Sequence, residues 1–102
     1  MNKFERGIDP KHAMQIGVVI PIINHIKELC VELCGDDNDY TKKFVNNNLD
    51  SLDFIELVMF IEKEYGIECG DQIEDLFYDY SMNEIFNQIA LYILSCRNEN
   101  IT

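Results

Sequence analysis

Ser51 is the hydroxyl in this chain whose neighbours could give it chemistry. It stands in Asp50-Ser51-Leu52-Asp53, just ahead of a pattern in which Leu57, Val58, Ile61 and Tyr65 recur three and four residues apart. That spacing predicts a helix with one buried face. Asp50 is placed to cap it, Asp53 falls near the free N–H groups of the first turn, and Gly66 suits its end. Ser51 then lies at the positive end of the helix dipole. A phosphate ester on its oxygen would meet unpaired N–H groups and favourable partial charge there. Read locally, the same residues also make an ordinary helix start, because Ser and Asp are standard in that place.

Independent catalysis has little to work with. No His stands at a motif spacing that would make it the base for Ser51, and there is no Gly-x-Ser-x-Gly turn. His12 and His25 belong to no recognisable site, and His25 reads as a surface or boundary residue. The carboxylates are many, but they resemble a solvated face more than a paired acid and base. Asp36-Asp37-Asn38-Asp39 lacks the central Gly and closing Glu of a calcium loop, so it reads as a solvated charge run. Cys30, Cys34, Cys69 and Cys96 form no CxxC pair and have no His at a zinc-ligand spacing. They read as small buried hydrophobes in a reducing cytosol, with Cys30 and Cys34 on one helix face. No catalytic residue and no metal ligand is assigned, and the chain is not expected to be an enzyme.

The elements that must hold Ser51 follow from the rest of the pattern. Residues 1–17 are weakly patterned, broken by Gly7, Asp9-Pro10 and Gly17, and read as a flexible or loosely docked extension. A first helix is expected from about Pro21 to Cys34. Its stripe is Ile22, Ile26, Leu29 and Leu33, with Ile23 and Cys30 beside it and Gly35 as its stop. A long loop, Gly35 to Asn48, then needs pinning, and Phe44, Val45 and Leu49 are its apolar points. After the Ser51 helix, a short helix from Asp71 to about Tyr78 turns Ile73, Leu76 and Phe77 inward. The last helix runs from near Ser81 to about Cys96. Ser81 and Glu84 form a capping box, and Met82, Ile85, Phe86, Ile89, Ile93 and Leu94 make the inward stripe, with Tyr92 at its edge. Four helical segments without a convincing strand predict a small all-α bundle. The domain is expected over 18–97, with 98–102 as a polar tail.

Charge narrows the partners. The 102 residues carry 19 acidic and 8 basic side chains, a formal net charge of −11, and 47% are hydrophobic, enough for one modest core. Nucleic acid and anionic membrane surfaces need a basic face and are not expected partners. Basic protein surfaces are the natural complement. Between Asp50 and Asp75 there are nine carboxylates (Asp50, Asp53, Glu56, Glu62, Glu64, Glu68, Asp71, Glu74 and Asp75) against one base, Lys63. Leu52, Ile55 and Met59 form a second apolar stripe beside the core-facing one. No apolar run reaches the ~18 residues of a membrane span. Val18 to Ile20, behind Lys3, Arg6 and Lys11, is too short for a signal core and is interrupted by Pro21. A cytoplasmic monomer is expected.

Asp50-Ser51-Leu52-Asp53, Ile55-Glu56-Leu57-Val58-Met59 and Glu62-Lys63-Glu64-Tyr65-Gly66-Ile67, in register, closely resemble the acyl carrier protein family. The resemblance implies a four-helix bundle of acyl-carrier type, with a long loop between helices one and two and a short third helix. It also implies 4′-phosphopantetheine on Ser51, with Asp50 and Leu52 flanking the attachment. The partner-facing residues would be Leu52, Asp53, Ile55, Glu56, Met59 and Glu62. The partners would be a phosphopantetheinyl transferase and acyl-thioester synthases and transferases with basic docking surfaces, in fatty-acid or related lipid and polyketide biosynthesis. The interior near Leu57, Ile61, Phe86 and Ile89 would shelter the acyl chain. The family also carries a Phe that docks its long loop, matched by Phe44. Departures are the N-terminal extension, Phe44 one residue nearer the Ser than in the commonest fatty-acid carriers, Leu49 in place of a small residue, and about two extra residues before the last helix. They point away from the most typical housekeeping carrier. Two other readings stand beside this one. One is an acidic helical interaction module that leaves Ser51 unmodified. The other is a peptidyl or aminoacyl carrier, whose motif more often has Gly-Gly before the Ser.

Overall fold

Apolar side chains at helical spacing, interrupted by glycine stops, build the observed architecture. A computed structural model describes residues 16–101. Among these residues there are four α-helices and no strand. They are α1 (Ile16–Cys34), α2 (Ser51–Tyr65), α3 (Glu74–Asp79) and α4 (Met82–Ile101), with short 3-10 turns at Val45–Asn47 and Asp71–Ile73. α1 packs against α4 and α2, and α3 lies on α2. No helix among the described residues is long and apolar enough to cross a membrane.

α1 begins earlier than its proline suggested. The chain is helical from Ile16, and Pro21 lies inside the helix, where it cannot donate to the carbonyl four residues back. Val19 explains the extra turn: it is buried on the face shared by Ile22, Ile26, Leu29 and Cys30, so packing outweighs the missing bond. The expected extension over 1–17 therefore falls outside the described residues except at its end, which is helical. Leu33 leaves the expected stripe and is 46% exposed, because in the last turn the inward positions are taken by Cys30 and Cys34. Gly35 stops α1 at φ 88, its N–H returning to the Val31 carbonyl.

Four aromatic rings tie the pieces together. Phe44, from the long loop, is fully buried and meets Phe54 of α2, Phe77 of α3 and Phe86 of α4 at ring centroid distances of 5.0, 6.0 and 6.1 Å. Edge-on and tilted contacts of this kind add to the burial itself. Phe44 is the pin that the loop needs. Val45, the next apolar point, faces outward at 57% exposed, and Leu49 is half-buried. Every residue of the expected α4 stripe is buried, from Met82 to Leu94. The helix runs on to Ile101, so the backbone of 98–101 is helical and not a tail.

Candidate functional site

The start of α2 is fixed by its own side chains. Asp50, in extended conformation, accepts the Asp53 N–H on Oδ1 at 2.9 Å, and Asp53 Oδ2 accepts the Asp50 N–H at 3.0 Å. This closed capping box satisfies one helix donor and pins the turn. The Phe54 N–H reaches the Asp50 carbonyl at 3.2 Å. Ser51 is thus the first helical residue, next to the cap, and its side chain is exposed. Among the described residues, no protein acceptor lies on the N–H groups of Ser51 or Leu52. The anion-binding potential expected at Ser51 is accordingly narrower than a bare helix end would offer. Two donors remain open, while Asp50 and Asp53 already place negative charge on the dipole.

The outward face of α2 continues from that point. Leu52 is 64% exposed, Ile55 is half-buried, Glu56 is exposed and Met59 is 60% exposed. Their spacing puts them on one face. The opposite face holds Phe54, Leu57, Val58 and Ile61 in the core. Asp53 is half-buried by its part in the capping box. Glu62 differs from its neighbours, because its Oε2 accepts the Cys69 N–H at 2.7 Å and its carbonyl takes the Ile67 N–H at 3.0 Å. It anchors the turn after α2, where Gly66 adopts φ 64. Leu57, Ile61, Phe86 and Ile89, expected around an acyl chain, are all core residues. No family model matches this chain, and no solved structure matches it.

Groups outside this face settle two chemical questions. His25 is a hydrogen-bond partner of the Tyr65 hydroxyl through Nδ1, and its Nε2 stands 3.7 Å from Glu64. Tyr65 ends α2, so His25 lies about 20 Å along the helix from Ser51 and cannot act as its base. The carboxylate beside His25 was not visible in its own neighbourhood of sequence, because it comes from another helix.

Cys30 and Cys34 are free thiols that share a hydrogen bond on one face of α1. Burial pushes the Cys30 thiol up to about 12, with the neighbouring Cys34 adding to the rise. Burial also raises Cys34; its bond with Cys30 works against this, and the Asp53 and Glu56 carboxylates reinforce it. The negative field of α2 thus reaches across to α1. Neither thiol is poised as a nucleophile at neutral pH.

The long loop contributes what the sequence pattern missed. Its acidic residues Asp36, Asp37 and Asp39 are exposed. The Thr41 hydroxyl and N–H donate to Asp39 and hold its carboxyl below the usual range. The Asn47 side chain bonds across the loop, a contact between residues too far apart for any local period to show.

Proposed function

We propose that the chain is an acyl carrier with 4′-phosphopantetheine attached to Ser51. The observation that carries this reading is the exposed Ser51 hydroxyl on the first residue of α2, beside an exposed apolar and acidic helix face. The attachment needs an accessible oxygen in a fixed turn. The Asp50–Asp53 box supplies the turn, and the open Ser51 and Leu52 N–H groups lie beside the place a phosphodiester would occupy. When bound, the group supplies a terminal thiol that holds an acyl chain as a thioester. Ser51 anchors the arm, while Leu52, Ile55 and Met59 offer apolar contacts. Asp50, Asp53 and Glu56 steer basic transferases and synthases in fatty-acid or related acyl biosynthesis. Glu62 belongs to this surface more through its place on α2 than through a free carboxylate. The closed all-helical arrangement, with its loop pinned by Phe44 and its short α3, is compatible with an acyl-carrier bundle. Four free cysteines agree with a cytoplasmic setting.

The second reading, an acidic interaction module that leaves Ser51 unmodified, has one observation in its favour. Asp50 and Asp53 already occupy the anion-preferring end of α2. Incubation with coenzyme A and several active phosphopantetheinyl transferases decides between them. The carrier gains one phosphopantetheinyl group in intact mass, and Ser51→Ala gains none. A wild-type mass that stays unchanged sinks the carrier reading and leaves the interaction module.

A further inference from the structure

The capping box fixes Ser51 to α2, but it does not fix the chain ahead of α2. That chain is held by the buried Phe44 ring, by backbone bonds, and by one carboxamide that bonds across the loop. Asn47 Oδ1 accepts the Asp39 N–H at 2.8 Å, and Asn47 Nδ2 donates toward the Asp39 carbonyl at 3.0 Å and the Lys43 carbonyl at 3.1 Å. Met82 Sδ lies 3.2 Å from the same nitrogen. An amide nitrogen has two hydrogens, so the two carbonyls take them and the thioether is a weaker neighbour. Asp39 is therefore paired through both its N–H and its C=O, as a strand residue is paired by a neighbouring strand. The backbone then turns sharply through Asn48 at φ 61. The Asn48 N–H bonds the Val45 carbonyl at 3.2 Å, and the Leu49 N–H bonds the Phe44 carbonyl at 3.1 Å. Ser51 follows two residues later.

We propose that Asn47 is a positioning residue for the modification of Ser51, its carboxamide holding the loop that leads into α2 in the one shape a phosphopantetheinyl transferase meets beside the hydroxyl. This rests on the carrier reading. A docking enzyme reaches Ser51 next to this loop, and a loop already ordered costs nothing to order on docking. Val45, on the 3-10 turn that ends at Asn47, is exposed, and the turn fixes where that apolar contact stands.

The test uses the full-length chain with coenzyme A and a transferase active on the wild type. In Asn47→Ala, KM for the carrier rises about five- to tenfold while kcat stays within about twofold, because the hydroxyl and the capping box are untouched. Amide hydrogen exchange speeds up at Leu49 and stays slow at Asp53. Asn47→Asp is isosteric and keeps the acceptor for the Asp39 N–H, yet it turns a carboxylate toward two carbonyls. It shows the same split, and it decides the matter if the alanine variant does not fold. A folded variant with unchanged KM, or with a loss confined to kcat, overturns the positioning role alone. A wild-type chain that no transferase modifies removes the carrier reading and this role with it.

Discussion

Two helices of this protein begin with the same device and end up chemically opposite. At α4, Ser81 is the cap. Its Oγ accepts the Glu84 N–H at 3.2 Å and Glu84 Oε1 accepts the Ser81 N–H at 2.9 Å. The remaining donors of that turn are also taken: Met82 N–H by the Lys42 carbonyl, Asn83 N–H by the Tyr40 carbonyl, each at 2.9 Å, and Ile85 N–H by the Ser81 carbonyl at 3.0 Å. At α2 an aspartate does the capping, which releases the serine beside it. Ser51 keeps an exposed hydroxyl, and among the described residues the first two N–H groups of its helix have no acceptor. A helix start becomes a candidate site where the reactive residue is spared from structural duty and the neighbouring donors have no protein acceptor.

Substituting the two serines gives the largest contrast. Ser51→Ala abolishes phosphopantetheinylation, whereas Ser81→Ala leaves it complete by intact mass. A Ser81→Ala chain that lost modification while still folded would break the contrast.

The next largest effect separates the two faces of α2. Phe54→Ala removes a ring packed on Phe44 and Phe77 and costs about 3–5 kcal/mol. Leu52→Ala, two residues earlier on the exposed face, changes stability by less than about 0.5 kcal/mol. Denaturant midpoints read both, and similar values for the pair would overturn the assignment of the buried face.

Glu56→Lys probes the exposed face kinetically. Transferase kcat/KM falls severalfold at low salt through slower association, and the deficit shrinks at high salt as screening weakens steering. The loss in Met59→Ala persists at high salt, because an apolar contact is not screened. Equal efficiencies for Glu56→Lys and wild type at low salt would remove this helix as the acidic recognition surface.

The smallest effect returns to the caps. Ser81→Ala strips the Glu84 N–H of its acceptor and costs about 0.5–2 kcal/mol. Ser51→Ala, which serves no cap, stays within about 0.5 kcal/mol. Thermal unfolding measures the difference, and an equal cost at both positions would mean that Ser51 also has a structural task.

What could be read from the sequence follows the range of the forces involved. The α4 stripe, the Ser81–Glu84 box and the Asp50 cap depend on residues three or four apart, and they stand as their spacing predicts; the return bond from Asp53 to the Asp50 N–H was not expected. Phe54, buried beside the expected stripe of α2, went unassigned because three- and four-residue spacing fits several rows on one helix. Leu33 and Val45 misled for different reasons: the last turn of α1 turns Cys30 and Cys34 inward in place of Leu33, and an apolar residue in a loop has no period to say which way it faces. Pro21 signalled a helix start, which the burial of Val19 overrode. The pairing of His25 with Tyr65 and the cross-loop bonds of Asn47 join residues distant in sequence, so no local pattern carries them. At the candidate site, the exposed serine beside an aspartate cap was legible; the closed loop that leads into it was not.

The donors that Met82 and Asn83 extend to Lys42 and Tyr40 have a consequence during synthesis. Ser51 leaves the ribosome before Met82 and Asn83, so the loop ahead of it lacks these two bonds until the start of α4 has also emerged. The nascent protein can form the α2 capping box early, from four consecutive residues. It completes the surroundings of its serine only after Met82 and Asn83 have followed.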